Sequence, residues 1–421
     1  MRQWIRHHNT ELLLVTIAFF VRLAFSLYFH PIDKFLFSDM SSYLDISHRM
    51  FGQTPSLGNI FYPIGYPLFI MIASRLFPVF FFSAVAILQS LLGTISIVLL
   101  YIISKKLLAK EYSILFLIIL ASYYPWIDFG GYLMSETLAT MLLTAIIFIT
   151  FFFRHQKNRL WLFLFPILIG LASLARANLL ITGVILAFWL SYQAIIIRKN
   201  INILQIIRNL IVIFCGVSLV GLLTIFLYYK YGGLITPTSL NGGFVFMEGQ
   251  CLFRGATDSN GWSFGPPVFT QRNFLVEKTF DQPFTNSSYF YGQGVQCLLT
   301  NPLRIFQKPL ELYYLFFDNV AWPSSNQPGF DLFMRVSHSL FNIFILPGVI
   351  LAFYFYLRNF RKSFSSTISI LILSLVSLFA TTIVYHADIR YRLPFDGIFI
   401  LISLWAYQFV RTSRKIKLPL E

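Results

Sequence analysis

Charge is scarce in this sequence. Asp, Glu, Lys and Arg make up 12% of its 421 residues, about half the share found in soluble domains. So few charges cannot cover a water-facing surface, and the 48 phenylalanines and 22 tyrosines exceed what the core of a soluble protein of this size hides. A soluble enzyme and a disordered polar chain are both excluded. Cysteine is scarcer still. Cys215, Cys251 and Cys297 are the only three. They are too few for a disulfide scaffold and show no metal-ligand spacing, so no metal site is assigned. Period-two alternation is lacking too. The runs 112–121 and 133–153 do not alternate, unlike the segments of about ten residues in an outer-membrane barrel. No clear small-residue cleavage site follows the first apolar run, 12–29. It is long enough to stay in the membrane and reads as a span rather than a signal peptide.

What the sequence does have is long apolar runs, with 57% hydrophobic residues and a mean hydropathy of +0.70. A helix needs about 20 residues to cross the hydrocarbon core. Ten runs approach that length: 11–29, 79–104, 112–123, 136–153, 160–175, 178–197, 207–229, 337–357, 364–384 and 395–410. The expectation is an all-α integral membrane protein, a single membrane domain over 1–421 with about ten transmembrane helices. A first outer loop, 30–63, lies between spans 1 and 2, and a larger one, 230–336, between spans 7 and 8. The apolar stretch 64–77 holds Pro67 and ends in Arg75 and Pro78, so it reads as an interfacial or re-entrant piece.

The formal net charge of +15 does not point to nucleic acid, because the basic residues sit in short clusters between apolar runs. Eighteen of them, including Arg2, Lys105, Lys106, Arg154, Arg198, Arg358 and Arg411, fall at one set of alternate span ends. The positive-inside rule makes that side cytoplasmic, with both termini inside. The acids divide the other way. Glu11, Glu111 and Glu421 lie at the basic ends, and the other fourteen of the seventeen lie on the outer side. The two outer loops account for most of this bias. They do not account for Asp128, Glu136 and Asp388, which sit at helix ends, and chemistry or binding on the outer face is the obvious reason for acids there.

After the first span comes Phe37-Ser38-Asp39-Met40-Ser41-Ser42-Tyr43, and later Phe61-Tyr62-Pro63-Ile64-Gly65-Tyr66-Pro67. Ser135-Glu136-Thr137-Leu138 opens the fourth span and Leu174-Ala175-Arg176-Ala177-Asn178 turns into the sixth. Thr236-Pro237-Thr238-Ser239-Leu240-Asn241-Gly242-Gly243 follows the seventh, and Arg390-Tyr391-Arg392-Leu393-Pro394 precedes the last. In this order, and all on the expected outer side, the segments resemble the GT-C fold membrane glycosyltransferases that use polyprenyl-phosphate sugars, close to the protein O-mannosyltransferases and aminoarabinose transferases. The resemblance runs along the whole chain. It implies a polyprenyl-phosphate-linked sugar donor and inverting transfer to a lipid, glycan or protein acceptor. It also implies a bacterial inner membrane with the active site on the periplasmic face. Two departures leave the sugar and the acceptor open, but not the reaction class. Tyr62 stands where aminoarabinose transferases carry a lysine before the proline, and these 421 residues hold no counterpart of the soluble carboxy-terminal module of the protein mannosyltransferases.

Chemistry alone gives the same residues roles. Moving a sugar with a lipid phosphate as leaving group needs a carboxylate to take the acceptor's proton and cations to hold the departing phosphate. Asp39 is the first outer carboxylate, beside Ser41, Ser42 and Tyr43, and is the candidate base; the alternative is a helix N-cap or an ordinary loop acid. Asp45 reads as a solvated loop residue. A carboxylate near membrane depth costs about 2.5–3.5 kcal/mol unless it faces protein or water. Glu136 and Asp128 flank the third outer turn and are the next catalytic candidates, against the alternative of acids favoured by a helix dipole. Arg390, Arg392 and Arg176 are the candidate phosphate ligands, since the guanidinium fork suits phosphate oxygens; the alternative is lipid headgroup anchoring. Tyr62 joins them as a substrate-binding candidate from its place in the motif. His386 stands alone, and no histidine or carboxylate pair shows metal spacing. No cofactor is assigned, and a divalent metal is left open.

Four features are peripheral to that chemistry. Tyr123-Tyr124-Pro125-Trp126, and Tyr313-Tyr314 with Trp322, read as interfacial aromatic belts. The stretch 301–317 reads as an amphipathic helix on the outer leaflet. Cys251 and Cys297 share the large outer loop, where an oxidising compartment would bridge them; the alternative is two free, buried thiols. Asn286-Ser287-Ser288 is a sequon with meaning only in a eukaryotic source.

Beside the enzyme stand a transporter or flippase of a polar or lipid-linked solute, which calls for midplane charges and inverted repeats, and a non-catalytic scaffold. No repeat is evident, and only Arg22 lies well inside a span. The orientation is checked by accessibility labelling. Cysteines placed at Ser41 and Asn241 react from the outer side, and one placed at Lys106 reacts from the inner side. Labelling of Ser41 and Lys106 from the same side contradicts the orientation.

Overall fold

The computed structural model describes residues 9–52, 55–153, 160–197, 203–251, 286–317, 328–364 and 366–416, and every regular element among them is helical. In chain order the principal helices are α1 Asn9–Ala24, α2 Asp39–Phe51, α3 Gly65–Leu76, α4 Phe81–Leu107, α5 Lys110–Ser122, α6 Tyr124–Asp128, α7 Glu136–Phe153, α8 Leu160–Ala175 and α9 Leu179–Ile197. They continue with α10 Ile203–Gly232, α11 Asn241–Cys251, α12 Ser287–Thr300, α13 Glu311–Phe317, α14 Pro328–Leu340, α15 Leu346–Arg358, α16 Ile368–Val384, α17 Ile389–Arg392 and α18 Asp396–Ile416.

Five helices are long and apolar enough to cross a membrane: Asn9–Phe29, Phe81–Leu107, Cys215–Gly232, Gly329–Arg358 and Ile389–Thr412. A sixth candidate is the pair Lys110–Ser122 and Tyr124–Gly131, bent by 47°. Gly65–Leu76, Glu136–Phe152, Phe163–Ala175, Leu179–Gln193 and Ile368–Val384 are apolar but shorter. The chain is thus an all-helical membrane protein, and of the ten expected spans five or six have full crossing length among the described residues. The stretch expected to be interfacial or re-entrant is helix α3.

Buried polar contacts lock the elements that carry the outer motifs. The Tyr66 hydroxyl donates to Gln89 Oε1 at 2.8 Å, and Gln89 Nε2 donates to the carbonyls of Gly130 and Tyr132, both at 2.9 Å. This network fixes the turn that leads into Glu136. At Gly65 a Cβ would lie 2.6 Å from the Leu174 carbonyl, closer than real side chains allow. Glycine is what lets α3 seat against the end of α8, one residue pair before Arg176. The return segment of the first outer loop is tied to the start of the second by backbone bonds from Leu240 to Ile60 and from Asn241 to Phe61, both 3.0 Å.

Arg22, the charge inside the first span, is 1% exposed. It donates to the carbonyls of Ala18 (2.9 Å), Leu120 (3.0 Å) and Ala121 (3.3 Å). The last two belong to the end of α5, where the break before α6 leaves carbonyls without intrahelical donors. The arginine supplies those donors, so its burial is accounted for by the helix break rather than by a transport path.

Two peripheral expectations change. The stretch 301–317 is not one amphipathic helix but short helices around a 3-10 turn, Lys308–Leu310. Lys308 is buried and donates to the carbonyls of Gly249 (2.6 Å) and Tyr385 (2.9 Å), because α11 packs so closely on Tyr385 that a Cβ at Gly249 would meet its carbonyl oxygen. The aromatic run 123–126 is no surface belt. The Tyr123 hydroxyl donates to Asp396 and Trp126 Nε1 to the Leu393 carbonyl, at 2.6 and 2.9 Å. Trp322 lies outside the described residues. Cys251 and Cys297 form a disulfide with Cα atoms 5.4 Å apart, joining α11 to α12, while Cys215 is free. Asn286 of the sequon caps α12 through a bond from Tyr289 N.

Candidate active site

A cavity of about 870 Å³ lies where the outer motifs converge. Asp39 and Tyr43 come from α2, Tyr62 from the return segment, and Arg176 and Asn178 from the corner between α8 and α9. Asn241 and Glu248 come from α11, and Asp388, Arg390 and Tyr391 from the turn before α18.

At its wall, two carboxylates share one guanidinium. Arg390 Nη1 and Nη2 each donate to Asp39 Oδ2 at 3.1 Å, and Arg390 Nε donates to Glu136 Oε1 at 3.0 Å. Side-chain exposure falls from 24% at Asp39 through 15% at Arg390 to 0% at Glu136, so the cluster runs from the cavity into the protein. Arg176 Nη2 stands 3.6 Å from the same Glu136 oxygen, and its Nη1 donates to the Arg390 carbonyl at 3.1 Å. Two carboxylates thus face two guanidinium groups, and in a weakly screened site such pairing is what makes their burial tolerable. The other oxygen of Asp39 accepts from the Tyr62 hydroxyl at 3.0 Å. Burial, and next the Asp39 charge, push the Tyr62 phenol well above its ordinary pKa. It stays a neutral donor that orients the carboxylate. A carboxylate has about four lone-pair sites, and three at Asp39 are taken, which leaves one for a proton from a bound molecule.

The local backbone explains the placement. Just before α2, Ser38, at φ 49° and ψ −129°, takes a positive-φ conformation that residues with a side chain rarely adopt, a costly turn that starts the helix at Asp39. Asp388 caps the short helix α17 by accepting from Arg390 N at 2.8 Å. Ala387 N donates to Glu311 at 2.8 Å, so the turn bearing Arg390 is held from both sides.

Five candidates therefore gather: Asp39, Tyr62, Glu136, Arg176 and Arg390. Two do not. Residues two apart on a helix point about 200° away from each other, and Arg392 faces the core. It is 2% exposed, donates to Asp396 at 2.8 Å and stacks over Phe341 at 4.0 Å. Of the two arginines expected to grip one phosphate together, only Arg390 is thus among the residues that line the large cavity. Asp128 is fully buried and accepts from Tyr124 one helical turn away, at 3.1 Å; it is not among the cavity-lining residues. Asp45 lies at the cavity mouth on α2, paired with Arg49. Sequence reasoning marked Asp388 as an acid at a helix end without giving it a role, and counted Glu248 only as an outer acid. Nothing in the local sequence marks Glu248, since α11 and the turn before α18 meet only in the fold. His386 also lines the cavity, 3.5 Å from the Tyr391 hydroxyl.

No protein-family model and no curated protein matches the sequence. Solved structures do match in shape, among them two from one archaeon. The oligosaccharyltransferase of Archaeoglobus fulgidus in the apo form has a TM-score of 0.51 at 14% identity, over 99% of this chain and 53% of that one. The archaeal oligosaccharyltransferase AglB from the same organism, in complex with an inhibitory peptide and a dolichol-phosphate, has a TM-score of 0.50 at 13% identity, over the same shares. The chain spans about half the length of these structures. The likeness establishes the GT-C fold implied by the motifs.

The separation of the two arginines is testable by stability. Arg392→Ala strands the Asp396 carboxylate in the core and costs about 3–5 kcal/mol, read as a lower thermal midpoint in detergent. The double variant Arg392→Met with Asp396→Leu recovers most of that loss, because an apolar pair of similar volume removes both buried charges. An Arg392→Ala protein as stable as the wild type contradicts the structural assignment.

Proposed function

We propose that the protein is a membrane glycosyltransferase that moves a sugar from a polyprenyl-phosphate donor to a lipid, glycan or protein acceptor at the outer face of the membrane. The observation that carries this reading is the meeting of Asp39 with Arg390, 351 residues away, in the wall of the cavity.

In the reaction the acceptor oxygen or nitrogen attacks the anomeric carbon while the bond from that carbon to the phosphate oxygen breaks. Single displacement inverts the anomeric centre. Asp39, oriented by Tyr62 and Arg390, takes the acceptor's proton as its nucleophilicity develops. The departing polyprenyl phosphate carries the electron pair away, and the guanidinium groups of Arg176 and Arg390 offset its charge. Glu136 holds both arginines in register from behind. The lipid chain needs a route out of the polar site. Leu180 and Ile181 line the cavity yet are 39% and 37% exposed on the apolar helix α9, which places a hydrocarbon-facing surface next to the arginines. A bacterial inner membrane with the site on its periplasmic side follows from the motif resemblance and from the clustering of basic residues at the opposite span ends.

Asp39→Asn keeps the shape of the side chain and removes the base. Transfer from a polyprenyl-phosphate sugar is expected to fall about 10²–10⁴-fold, measured on protein shown to be folded, because neutralising one partner of Arg390 also lowers the thermal midpoint. Residual turnover above about a tenth, given the usual size of a general-base contribution, contradicts the role of Asp39.

A further inference from the structure

Carboxylates beside a phosphate-bearing substrate repel it unless a cation stands between, and divalent metal ions commonly fill that place. Here the place between Asp39 and Glu136 is filled by the chain itself. Arg390 spans them, with Nε on Glu136 at 3.0 Å and both terminal nitrogens on Asp39 at 3.1 Å. The guanidinium does not lose its proton in proteins, so this charge is permanent. It is also held in position through the main chain: Arg390 N donates to the Asp388 side chain, and the Arg390 carbonyl accepts from Arg176.

The residues do not fit an added metal ion. With Arg176 the two carboxylates already meet two positive charges, and the second oxygen of Asp39 already accepts from Tyr62. A divalent ion would have to displace a guanidinium that is 15% exposed. Among the described residues, no group of three or more His, Cys, Asp and Glu side chains converges as ligands.

We infer that Arg390 is a built-in cation that takes the place of a divalent metal ion between Asp39 and Glu136, so that these carboxylates work without a resident metal. The consequence for catalysis rests on the glycosyltransferase reading, but the placement of the cation does not. Toward the two carboxylates that it holds Arg390 is a positioning residue, beside the contact with the departing phosphate proposed above.

The test is a Mn²⁺ titration of the chelator-treated full-length protein in detergent, read by electron paramagnetic resonance with no sugar present. The wild type shows no saturable site that depends on Asp39. Arg390→Ala and the better-packed Arg390→Gln bare two converging carboxylates and bind Mn²⁺ at least about tenfold more tightly, equivalent to about 1.4 kcal/mol. Arg390→Lys keeps a cation in place and gains no such site. Wild-type binding of one Mn²⁺ that is lost in Asp39→Asn overturns the inference, and this arm decides even if the Arg390 variants do not fold. Folded Arg390→Ala and Arg390→Gln proteins that gain no Mn²⁺ site overturn it too. A wild type that transfers no sugar counts against the proposed function alone, since the titration reads the cation site without a reaction.

Discussion

A permanent positive charge held between two carboxylates is the constraint on which this structure turns. Arg390, Asp39 and Glu136 come from three distant segments and meet where exposure falls from 24% to 0%. Each charge alone would be expensive there, and losing one partner of a buried pair typically costs about 3–5 kcal/mol. The cluster therefore constrains α2, α7 and the turn before α18 to arrive together. The devices around it serve that meeting. Gly65 allows α3 to seat beside Arg176, Gln89 fixes the turn before Glu136, and Asp388 caps the short helix that presents Arg390.

The two arginines of the Arg390-Tyr391-Arg392 motif divide the labour of that turn. One faces the cavity and two carboxylates; the other faces the core, Asp396 and the Phe341 ring. Tyr391 between them lies beneath Arg176, with the guanidinium 5.4 Å from its ring. A stretch of three residues thereby joins the site wall to the packing of the last span. The stretch of wall that α11 supplies is secured differently. The disulfide of Cys251 with Cys297 and the two bonds of Lys308 pin α11, and with it Glu248, against Tyr385.

Much of this was legible in the sequence, and the exceptions have physical causes. Membrane character follows from composition, because scarce charge and long apolar runs leave no soluble alternative. Asp39, Tyr62, Glu136, Arg176 and Arg390 were legible because each sits at a helix end or return segment beside small, proline or aromatic residues that fix the backbone. Arg392 and Asp128 share those sequence surroundings but point the other way, and a linear reading does not fix the phase of a four- or five-residue helix. The run 123–126 misleads for a similar reason: aromatic rings with one polar atom suit a membrane interface and a buried hydrogen bond equally well. Glu248 carries no local signal at all, since only the packing of α11 on Tyr385 brings it to the cavity. Of the ten expected spans five or six reach full crossing length among the described residues, where several of the other apolar runs form shorter helices.

Where the donor's phosphate sits is the most direct test of the account. A polyprenyl phosphate bearing a photoreactive group on the isoprene next to the phosphate is bound to the purified protein and cross-linked, and the attachment sites are read by peptide mass spectrometry. The account predicts attachment within 176–181 and 381–391, competed away by unmodified polyprenyl phosphate. Attachment confined to helices that do not line the cavity, such as α4 or α15, contradicts it.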